Sequence, residues 1–394
     1  MQVATIAFKV NKNAEKAIVQ KHPWVFSNSI VKQSKEGEAG DLCIIFKNSN
    51  NKLLAVGLLD PDSPIRIKVL QVGSSLVIDE NFFENRFSKA YSRRESLIKN
   101  NTSAYRLIYG ENDNLPGLVI DIYDYVGVIK LYSSIWQPYI ELIKLALLKV
   151  SSVNCIVLRL SRNLIQNSPL KEGILIGKLD SENVLFEEHG VLFSANPLKG
   201  HKTGYFLDHR ANRLNTRNLS KGKHVLDVFS YAGGFTVNAL IGGAKSVTSV
   251  DISRHALDLA KDNIHLNLKS SNHKTICGNA FEILEELVNK KKEFGLVIID
   301  PPSFAKSQKE IPKALLSYKK LVKLGIPLTS QNGILLMASC SSRINSEEFY
   351  DLVLNEVSRS KRNFKILKKT THDIDHPEGI PELNYLKSIY VQFD

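Results

Sequence analysis

The sequence predicts an α/β protein of 394 residues that is built from three successive segments. In the last segment, near-continuous apolar strands such as FGLVIID at 294–300 alternate with helical patterns, which is typical of a parallel sheet covered on both faces. In the first segment, short strand patterns are separated by Gly, Asn, Asp and Pro clusters, which indicates a small β barrel. The middle segment mixes both patterns and is predicted to be an α+β unit.

The first two segments are assigned by their hydrophobic periodicity. Residues 1–75 carry the strand patterns TIAFKV, HPWVFSNSI, DLCIIF, LLAVGLL and IRIKVL. Residues 76–190 begin with an amphipathic helix over Glu80–Asn100 that has a basic face. Strand patterns YRLIYG, GLVIDIY and VGVIKLY, a helix over Pro138–Val150 and the strand pattern CIVLRL follow.

The third segment, residues 191–394, contains the parallel strand patterns HVLDVF, SVTSVDI, FGLVIID and GILLMAS. Parallel sheets bind ligands at the carboxyl ends of their strands. The residues that follow these strands are therefore the candidates for a functional site.

The composition of the chain indicates which kinds of partner to expect. The chain has 52 Lys and Arg against 40 Asp and Glu, so its formal net charge is +12, which favours a polyanionic partner. No apolar run approaches the roughly 18 residues of a membrane helix, and the N-terminus lacks the pattern of a signal peptide. We therefore expect a cytoplasmic protein with no membrane partner.

The four cysteines are far apart in the sequence. They form no CxxC pair, so the pattern predicts neither a disulfide framework nor a zinc site, and we expect no metal. Cys43, Cys155 and Cys277 are expected to be buried and inert. Cys340 differs, because it follows a predicted strand and would lie at the carboxyl edge of the sheet.

Acidic residues and glycines follow the first two parallel strands. Asp227 lies at the end of the first strand, and the next loop contains Gly233 and Gly234, which let the backbone pass close to a ligand. Asp251 ends the second strand, where a carboxylate can accept hydrogen bonds from both ribose hydroxyls. Each feature alone also fits a tight turn or a helix cap, but together they favour a nucleoside-containing ligand. The nicotinamide fingerprint GxGxxG is absent, which disfavours a dehydrogenase.

The third and fourth strands end at the same crevice. Cys277–Phe281 would flank an adenine edge, with Phe281 more typical of a core residue. Asp300 is followed by Pro301 and Pro302, which end the strand abruptly and hold the carboxylate at its tip.

A set of ordered motifs extends these observations to a known family. The motifs are Asn196-Pro197, HKTGYFLDHR at 201–210, FSYAGGF at 229–235, VDIS at 250–253, DPPSF at 300–304 and SCS at 339–341. The set resembles the class I S-adenosylmethionine-dependent methyltransferases of 23S ribosomal RNA that make 5-methylcytosine. Upstream, HPWVF at 22–26 and GLLDP at 57–61 are similar to the family's PUA domain, an RNA-binding β barrel. YRLIYG at 105–110 and LPGLVID at 115–121 are similar to its central α+β domain.

The resemblance implies a fold, a cofactor and a partner. The fold is a PUA-like barrel over residues 1–75, a central α+β domain over 76–190 and a Rossmann-like class I methyltransferase domain over 191–394. The cofactor is S-adenosylmethionine, and the partner is 23S ribosomal RNA, free or in an assembling large subunit. The methylated nucleotide and the oligomeric state, a homodimer included, stay open.

The resemblance also implies site residues. The cofactor contacts are Tyr205, Phe206, Asp227, Phe229, Ser230, Tyr231, Gly233, Gly234, Asp251, Ile252, Asn279, Ala280 and Asp300. The family usually has an acid where Asn279 stands and a glutamine where His209 stands. Because an amide offers both a donor and an acceptor, we expect Asn279 still to bind an adenine edge. The role of His209 stays open, and a surface histidine is the simplest expectation.

The catalytic residues that the resemblance implies are Cys340 and Asp300. Carbon 5 of cytosine is a poor nucleophile, so the Cys340 thiolate would first add at carbon 6. Asp300, protonated or hydrogen-bonded to ring nitrogen 3, would stabilise the charge that develops on the ring. A free thiol titrates near about 8.5, and no neighbouring base is evident in the sequence.

The target base must leave its stack to reach this crevice, and the protein must hold the RNA backbone. The candidate RNA contacts are Lys21, Trp24, Arg66, Arg86, Arg93 and Arg94. A solvated charged surface, with Trp24 in the barrel core, is an equally good interpretation.

Two other functions fit the same motifs. The DPPSF motif could hold an exocyclic amine for methylation, a reaction that needs no cysteine. A non-catalytic RNA-binding or ribosome-assembly protein with an inherited cofactor fold is the alternative from another class.

Overall fold

The computed structural model describes residues 3–166 and 168–394. Two compact units are formed. The first comprises Met1–Gly190, Ser194–Leu207 and Ile374–Ile380, and the second comprises Val191–Phe193, Asp208–Asp373 and Pro381–Asp394. Division of the chain into three domains with boundaries after residues 75 and 190 stays a prediction. In the described part of the chain, no helix is both long and apolar enough to cross a membrane.

The first unit opens with a curled, mostly antiparallel sheet. Its elements are β1 (Thr5–Val10), α1 (Lys12–Val19), β2 (Trp24–Phe26), β3 (Ile30–Gln33), β4 (Leu42–Phe46), β5 (Leu53–Leu59) and β6 (Ile65–Val72). Among the described residues the six strands lie in the order β2-β6-β5-β4-β1-β3, and β1 runs parallel to β4. Ile6, Phe8 and Ile45 are fully buried between them, so this sheet has its own core.

Helix α1 departs from the all-strand pattern predicted for the first segment. The Asn11 side chain accepts a hydrogen bond from the amide of Ala14, which caps the start of the helix. Ala14 and Ile18 lie four residues apart on one face and are buried, whereas most of the other side chains remain accessible. An eight-residue helix with two buried positions leaves too weak a periodic signal to be recognised from the sequence.

A second sheet follows in the first unit. Its elements are α2 (Glu80–Lys99), β7 (Ala104–Tyr109), β8 (Leu118–Tyr123), β9 (Val126–Leu131), α3 (Ile140–Val150), β10 (Cys155–Leu160), α4 (Arg162–Ile165) and β11 (Gly173–Ile176). Within the described residues the strands lie in the order β11-β10-β9-β8-β7. Helix α2 occupies the predicted range, and its Phe83 packs edge-on against the buried Trp136. The short strands β12 (Val184–Glu188) and β13 (Val191–Ala195) come next along the chain.

The second unit carries the parallel sheet. Its elements are α5 (Arg210–Leu219), β14 (His224–Val228), α6 (Gly234–Ile241), β15 (Ser246–Asp251), α7 (Arg254–His265), β16 (His273–Cys277), α8 (Ala280–Asn289), β17 (Phe294–Ile299), α9 (Ile311–Leu328), β18 (Thr329–Ser339), α10 (Ser346–Arg359), β19 (Phe364–Thr370) and β20 (Lys387–Phe393). Over the described residues the strand order is β16-β15-β14-β17-β18-β20-β19.

The strand order places the candidate residues at one edge of this sheet. Strands β16, β15, β14, β17 and β18 run parallel, so their carboxyl ends lie on the same side. The order reverses at β14, whose neighbours are β15 and β17. Open parallel sheets bind ligands at such a switch point.

The last two strands add an antiparallel edge to the predicted parallel sheet. Strand β20 pairs antiparallel with β18, and β19 pairs antiparallel with β20. Because β20 is buried along nearly its whole length, its apolar pattern resembles that of a parallel strand. Its direction depends on the path that the chain takes through the preceding residues, which the pattern does not encode.

Candidate active site

Three side chains meet at the carboxyl edge of the sheet in the second unit. Asp300 follows β17 directly and Cys340 follows β18 directly, and these strands pair in parallel register, with Ile299 opposite Met337. The Cys340 Sγ atom lies 4.0 Å from Asp300 Oδ1. His209, in the turn before α5, completes the cluster, because its Nε2 atom lies 3.4 Å from Sγ and 3.2 Å from Asp300 Oδ2.

The burial of His209 contradicts the expectation of a surface histidine. Only 3% of His209 is exposed, and its ring packs edge-on against Phe235 at 5.5 Å between centroids. The other ring nitrogen, Nδ1, lies 3.1 Å from the side-chain amide nitrogen of Asn212. His209 and Cys340 are 131 residues apart, so no local pattern could have revealed their contact.

Burial and charge shift the titration of the cluster. Burial raises the pKa of the Cys340 thiol, and the nearby Asp300 charge raises it further, while His209 works in the opposite direction. Burial by itself lowers the pKa of His209, but the Asp300 carboxylate and Cys340 overcome this and hold it well above its ordinary value. Of these groups, His209 is the one that favours the thiolate form of Cys340.

A buried lysine holds the chain that follows Cys340. The Lys387 ammonium group, at the start of β20, donates hydrogen bonds to the carbonyl oxygens of Ser341, of Ile344 at 2.5 Å and of Tyr385 at 3.1 Å. Burial lowers the pKa of Lys387 to about 8. These bonds satisfy three backbone acceptors and so fix the turn that presents the thiol.

The loop after β14 lies at the sheet edge where the crevice is predicted. Asp227 is buried, and its Oδ2 atom accepts a hydrogen bond of 2.6 Å from the Thr236 hydroxyl. Burial raises the pKa of Asp227 to about 7. Within the described residues, Asp227 Oδ1 and Ser230 Oγ are buried without a hydrogen-bond partner. Because buried polar atoms are normally paired, these two oxygens fit a polar ligand held beside the loop.

Backbone conformation shapes the same loop. Phe229 and Tyr231 have φ angles of 64° and 47°, in the left-handed region that side chains disfavour. The Tyr231 amide donates a hydrogen bond of 2.9 Å to Asp251 Oδ2, which links this loop to the end of β15. Gly233 has a φ angle of 76°, and a Cβ atom there would lie 2.7 Å from the Cβ of Ala260. Position 233 therefore requires glycine, and Gly234 then begins α6.

The predicted cofactor residues after β15 and β16 lie at the same edge of the sheet. Asp251 Oδ1 accepts from the Ser253 amide at 2.9 Å, and the next side chain, Ile252, is 75% exposed. Asn279 caps α8, because its Oδ1 atom accepts from the Phe281 amide at 2.9 Å, and Ala280 begins that helix. The cap leaves the Asn279 amide group as a donor for a ligand.

The burial predicted for Phe281 and for three of the cysteines can be compared with the structure. Phe281 packs against the apolar core, as expected, with its ring 6.3 Å from that of Phe304. Cys43 and Cys155 are buried, but Cys277 is only half-buried and contradicts the expectation. Its Sγ atom lies 3.5 Å from the carbonyl oxygen of Ile252.

Comparison with known proteins decides which family combines these features. Two family profiles match the chain, a PUA-like domain over residues 8–71 and an S-adenosylmethionine-dependent methyltransferase over residues 175–390. A ribosomal RNA large subunit methyltransferase of Deinococcus radiodurans is 38% identical over 99% of this chain and 98% of its own length. Ribosomal RNA large subunit methyltransferase I of Aeromonas salmonicida is 36% identical over 97% of this chain and 98% of its own length. The chain belongs to the ribosomal RNA large subunit methyltransferase family.

Solved structures share the fold of this methyltransferase. A protein of Streptococcus mutans, described provisionally as a SAM-dependent methyltransferase, superposes with a TM-score of 0.83 at 22% identity, covering 98% of this chain and 99% of its own. A second structure, of a provisionally described methyltransferase complexed with SAH, has a TM-score of 0.84 at 22% identity and covers 99% of this chain and 100% of its own. The predicted fold class, a PUA-like domain followed by a Rossmann-like domain, and the predicted cofactor are confirmed.

Two predicted cofactor residues of the methyltransferase belong to the first unit. The backbone amide of Tyr205 donates a hydrogen bond of 3.1 Å to the Tyr123 hydroxyl, and its ring lies 5.1 Å from that of Phe186. Phe206 is half-buried, with the Lys202 ammonium group 4.5 Å above its ring. The other predicted cofactor residues belong to the second unit.

The candidate RNA-contact residues of the methyltransferase differ in how deeply they are buried. Arg94 is fully buried and its guanidinium group lies 2.6 Å from Asp113 Oδ2, which contradicts a contact with RNA phosphates. Arg86 donates to the carbonyl oxygen of Leu70 at 2.8 Å, and burial lowers its pKa to about 10. Arg93 keeps 39% of its side chain exposed beside Asp113.

The remaining candidates lie in the N-terminal sheet and its loops. Lys21 is exposed, whereas Arg66 and Trp24 are half-buried. Arg66 donates to the carbonyl oxygen of Pro61, and the Trp24 indole donates to Glu111 at 3.0 Å. Lys21 and Arg93 therefore remain the accessible cations of the set.

Proposed function

We propose that this methyltransferase acts on large-subunit ribosomal RNA and forms 5-methylcytosine in 23S rRNA through a covalent adduct at Cys340. The names of its relatives support the RNA substrate, and the net charge of +12 suits a polyanion. The observation that carries the proposal is the Cys340 thiol, which follows β18 and lies 4.0 Å from Asp300 on the neighbouring strand.

In the proposed reaction Cys340 is the nucleophile, and Asp300 transfers the proton. The Cys340 thiol gives its proton to the Asp300 carboxylate, and the sulfur forms a bond to carbon 6 of cytosine. The carboxyl group passes that proton to ring nitrogen 3, and carbon 5 becomes a nucleophilic enamine carbon. After methylation, the carbon 5 proton is released to water, and the double bond re-forms as the sulfur leaves as a thiolate. Asp300 takes the proton back from ring nitrogen 3 and returns it to the sulfur.

The crevice beside the cluster suits S-adenosylmethionine, which supplies the methyl group when it is bound. Asp251 would hold the ribose hydroxyls, since each of its oxygens retains a lone pair after accepting one backbone amide. The amide of Asn279 and the backbone at Ala280 would hold the adenine edge. The buried oxygens of Asp227 and Ser230 would hold the polar amino-acid end.

The first experiment measures transfer of a labelled methyl group from S-adenosylmethionine to protein-free 23S rRNA, with nucleoside analysis of the product. We expect the wild-type protein to produce 5-methylcytosine and Cys340→Ala to produce none. Cys155→Ala is the matched control, because it removes a buried thiol from the first unit and should retain the activity. Methylation that persists without the Cys340 thiol, or that occurs on a nitrogen, would refute the proposal and favour amine methylation.

A second experiment tests the covalent bond itself. A fluorine at carbon 5 prevents the last proton loss, so 5-fluorocytidine in the RNA should hold the protein in a complex that survives denaturing electrophoresis. The proposal requires this complex in the wild-type protein and in Cys155→Ala, and its absence in Cys340→Ala. Failure to bind S-adenosylmethionine in a calorimetric titration would instead support a non-catalytic RNA-binding protein.

A further inference from the structure

His209 is a buried group that the proposed reaction does not yet use. Its Nε2 atom is close to both proposed catalytic side chains, 3.4 Å from Cys340 Sγ and 3.2 Å from Asp300 Oδ2. The chemical role of His209 depends on whether Nε2 carries a proton. A protonated Nε2 donates a hydrogen bond, and a bare Nε2 accepts a proton as a base.

The orientation of the Asn212 side-chain amide indicates which nitrogen of the His209 ring carries the proton. The side-chain carbonyl of Asn212 accepts hydrogen bonds from the hydroxyls of Thr370 at 2.7 Å and Tyr390 at 2.9 Å. Its amide nitrogen donates to Ser388 Oγ at 3.1 Å and faces His209 Nδ1 at 3.1 Å. With the Asn212 amide in this orientation, Nδ1 is the acceptor, so the proton of the neutral ring lies on Nε2, facing Cys340 and Asp300.

Protonation of the ring leaves this conclusion unchanged. The Asp300 charge raises the pKa of His209, and an imidazolium carries protons on both ring nitrogens. Rotation of the Asn212 amide would then present its carbonyl to Nδ1, and the hydroxyls of Thr370 and Tyr390 can accept as readily as they donate. In both protonation states Nε2 holds a proton and is a donor.

We propose that His209 is a catalytic hydrogen-bond donor that stabilises the Cys340 thiolate through Nε2–H, and that Asn212 is the positioning residue that orients its ring. The thiol proton goes to Asp300, so His209 keeps its own proton while the sulfur attacks and when it is expelled. This role rests on the proposed function, in which the thiolate is the nucleophile.

The charges around the sulfur show why a donor is needed there. Burial disfavours a thiolate at Cys340, and the charges of Asp300 and Asp208 disfavour it further. Lys387, at the start of β20, interacts with the charge of Cys340, but its protons are directed to the carbonyl oxygens of Ser341 and Ile344. Among the charged and titratable groups described around the sulfur, His209 is the one whose donor lies within 3.4 Å of it.

The test measures how readily Cys340 forms a thiolate, and it requires neither RNA nor methyl transfer. The rate at which iodoacetamide alkylates Cys340 is followed by peptide mass spectrometry from pH 5 to about pH 10, since only the thiolate reacts. His209→Gln keeps an N–H donor, and His209→Leu removes it at similar size. The matched control is His224→Gln, an exposed histidine at the start of β14, and Cys340→Ala gives the background.

Each outcome decides the proposal. We expect His209→Leu to alkylate at least about tenfold more slowly at pH 7, because a hydrogen bond to a charged group has been lost. His209→Gln should stay within about threefold of the wild-type rate, and so should the control. Equal losses in His209→Gln and His209→Leu would identify a base and overturn the proposal, as would a wild-type rate in His209→Leu. If His209→Leu fails to fold, the His209→Gln rate alone distinguishes donor from base.

The same variants separate this inference from the proposed function. In methyl-transfer assays, His209→Leu should lower kcat and leave the KM for S-adenosylmethionine unchanged. If the product is not 5-methylcytosine but the alkylation rates follow the expected order, the hydrogen bond stands and the proposed reaction fails. If 5-methylcytosine forms but the alkylation order is absent, the reaction stands and the role of His209 fails.

Discussion

At the scale of single residues, two aspartates of this methyltransferase differ in burial and in the hydrogen bonds that they accept. Asp227 and Asp251 end neighbouring strands, yet only Asp227 has lost its access to water. Asp251 accepts two backbone amides, whereas Asp227 accepts from one hydroxyl through Oδ2. A charge on Asp227 is therefore poorly compensated in the protein alone, which is consistent with a ligand that compensates it.

Asp227 should make the stability of the protein depend on pH. Burial raises its pKa to about 7 in the folded state, so the folded protein binds more protons than the unfolded chain between about pH 4 and pH 7. Its contribution is present below this window and is lost as the pH rises through it. We expect Asp227→Asn to raise the free energy of unfolding at pH 8 by about 1–2 kcal/mol and to leave it nearly unchanged at pH 4.

Urea denaturation at the two pH values measures this effect, and calorimetric titration measures S-adenosylmethionine binding. The same substitution should weaken cofactor binding, because a neutral amide compensates an ammonium group less well. A variant that is less stable than the wild type at pH 8 would contradict this account of Asp227.

At the scale of elements, the turn between β14 and α6 depends on the absence of a side chain. Gly233 has a φ angle of 76°, and an added Cβ would lie 2.7 Å from the Cβ of Ala260 in α7. Close approach of α6 and α7 therefore requires glycine for space as well as for conformation.

Gly233→Ala should lower the free energy of unfolding by about 2–4 kcal/mol and weaken cofactor binding, because the turn and α7 must separate. Gly222→Ala is the matched control, since Gly222 has a φ angle of 72° and no atom within 4 Å of an added Cβ. We expect the control to cost about 1 kcal/mol, which is the conformational part alone. Equal costs in the two variants, measured by urea denaturation, would show that Ala260 imposes no steric limit.

At the scale of the whole molecule, residues from late in the chain complete the first unit. The segment Ile374–Ile380 belongs to that unit, although it follows most of the second unit in sequence. The Asp375 Oδ2 atom accepts a hydrogen bond of 3.0 Å from the backbone amide of Arg106, and its carbonyl oxygen accepts from Arg94 at 3.1 Å. Arg94 also pairs with Asp113, so the segment joins a buried network of charges.

Removing the Asp375 carboxylate should destabilise the first unit. Asp375→Ala removes the carboxylate that accepts from the Arg106 amide and contacts the His376 ring, which should cost about 2–4 kcal/mol. Glu378→Ala, an exposed carboxylate of the same segment, should change stability by less than about 0.5 kcal/mol. Urea denaturation compares the two, and a cost for Asp375→Ala no larger than that for Glu378→Ala would mean that the network contributes nothing to stability.

Local patterns predicted the elements that carry the proposed cofactor site. Asp227, Asp251, Asp300 and Cys340 were each predicted at the end of a strand, and the structure places each one there. The signal was strong because fully buried strands are apolar along their length and end at polar or glycine-rich turns. Helix α1 and the mostly exposed strand β19 lacked such a signal, and the pattern of β20 does not encode its direction.

The sequence by itself determined the family, the order of the strands along the chain and the residues that follow them, because periodicity and motifs are local properties. Only the tertiary structure decided that His209 lies against Cys340 and that Arg94 is buried with Asp113 instead of facing RNA. Burial of a histidine or an arginine depends on partners from distant parts of the chain. Those partners meet only when the elements pack, so the chemistry of the thiol is determined by packing.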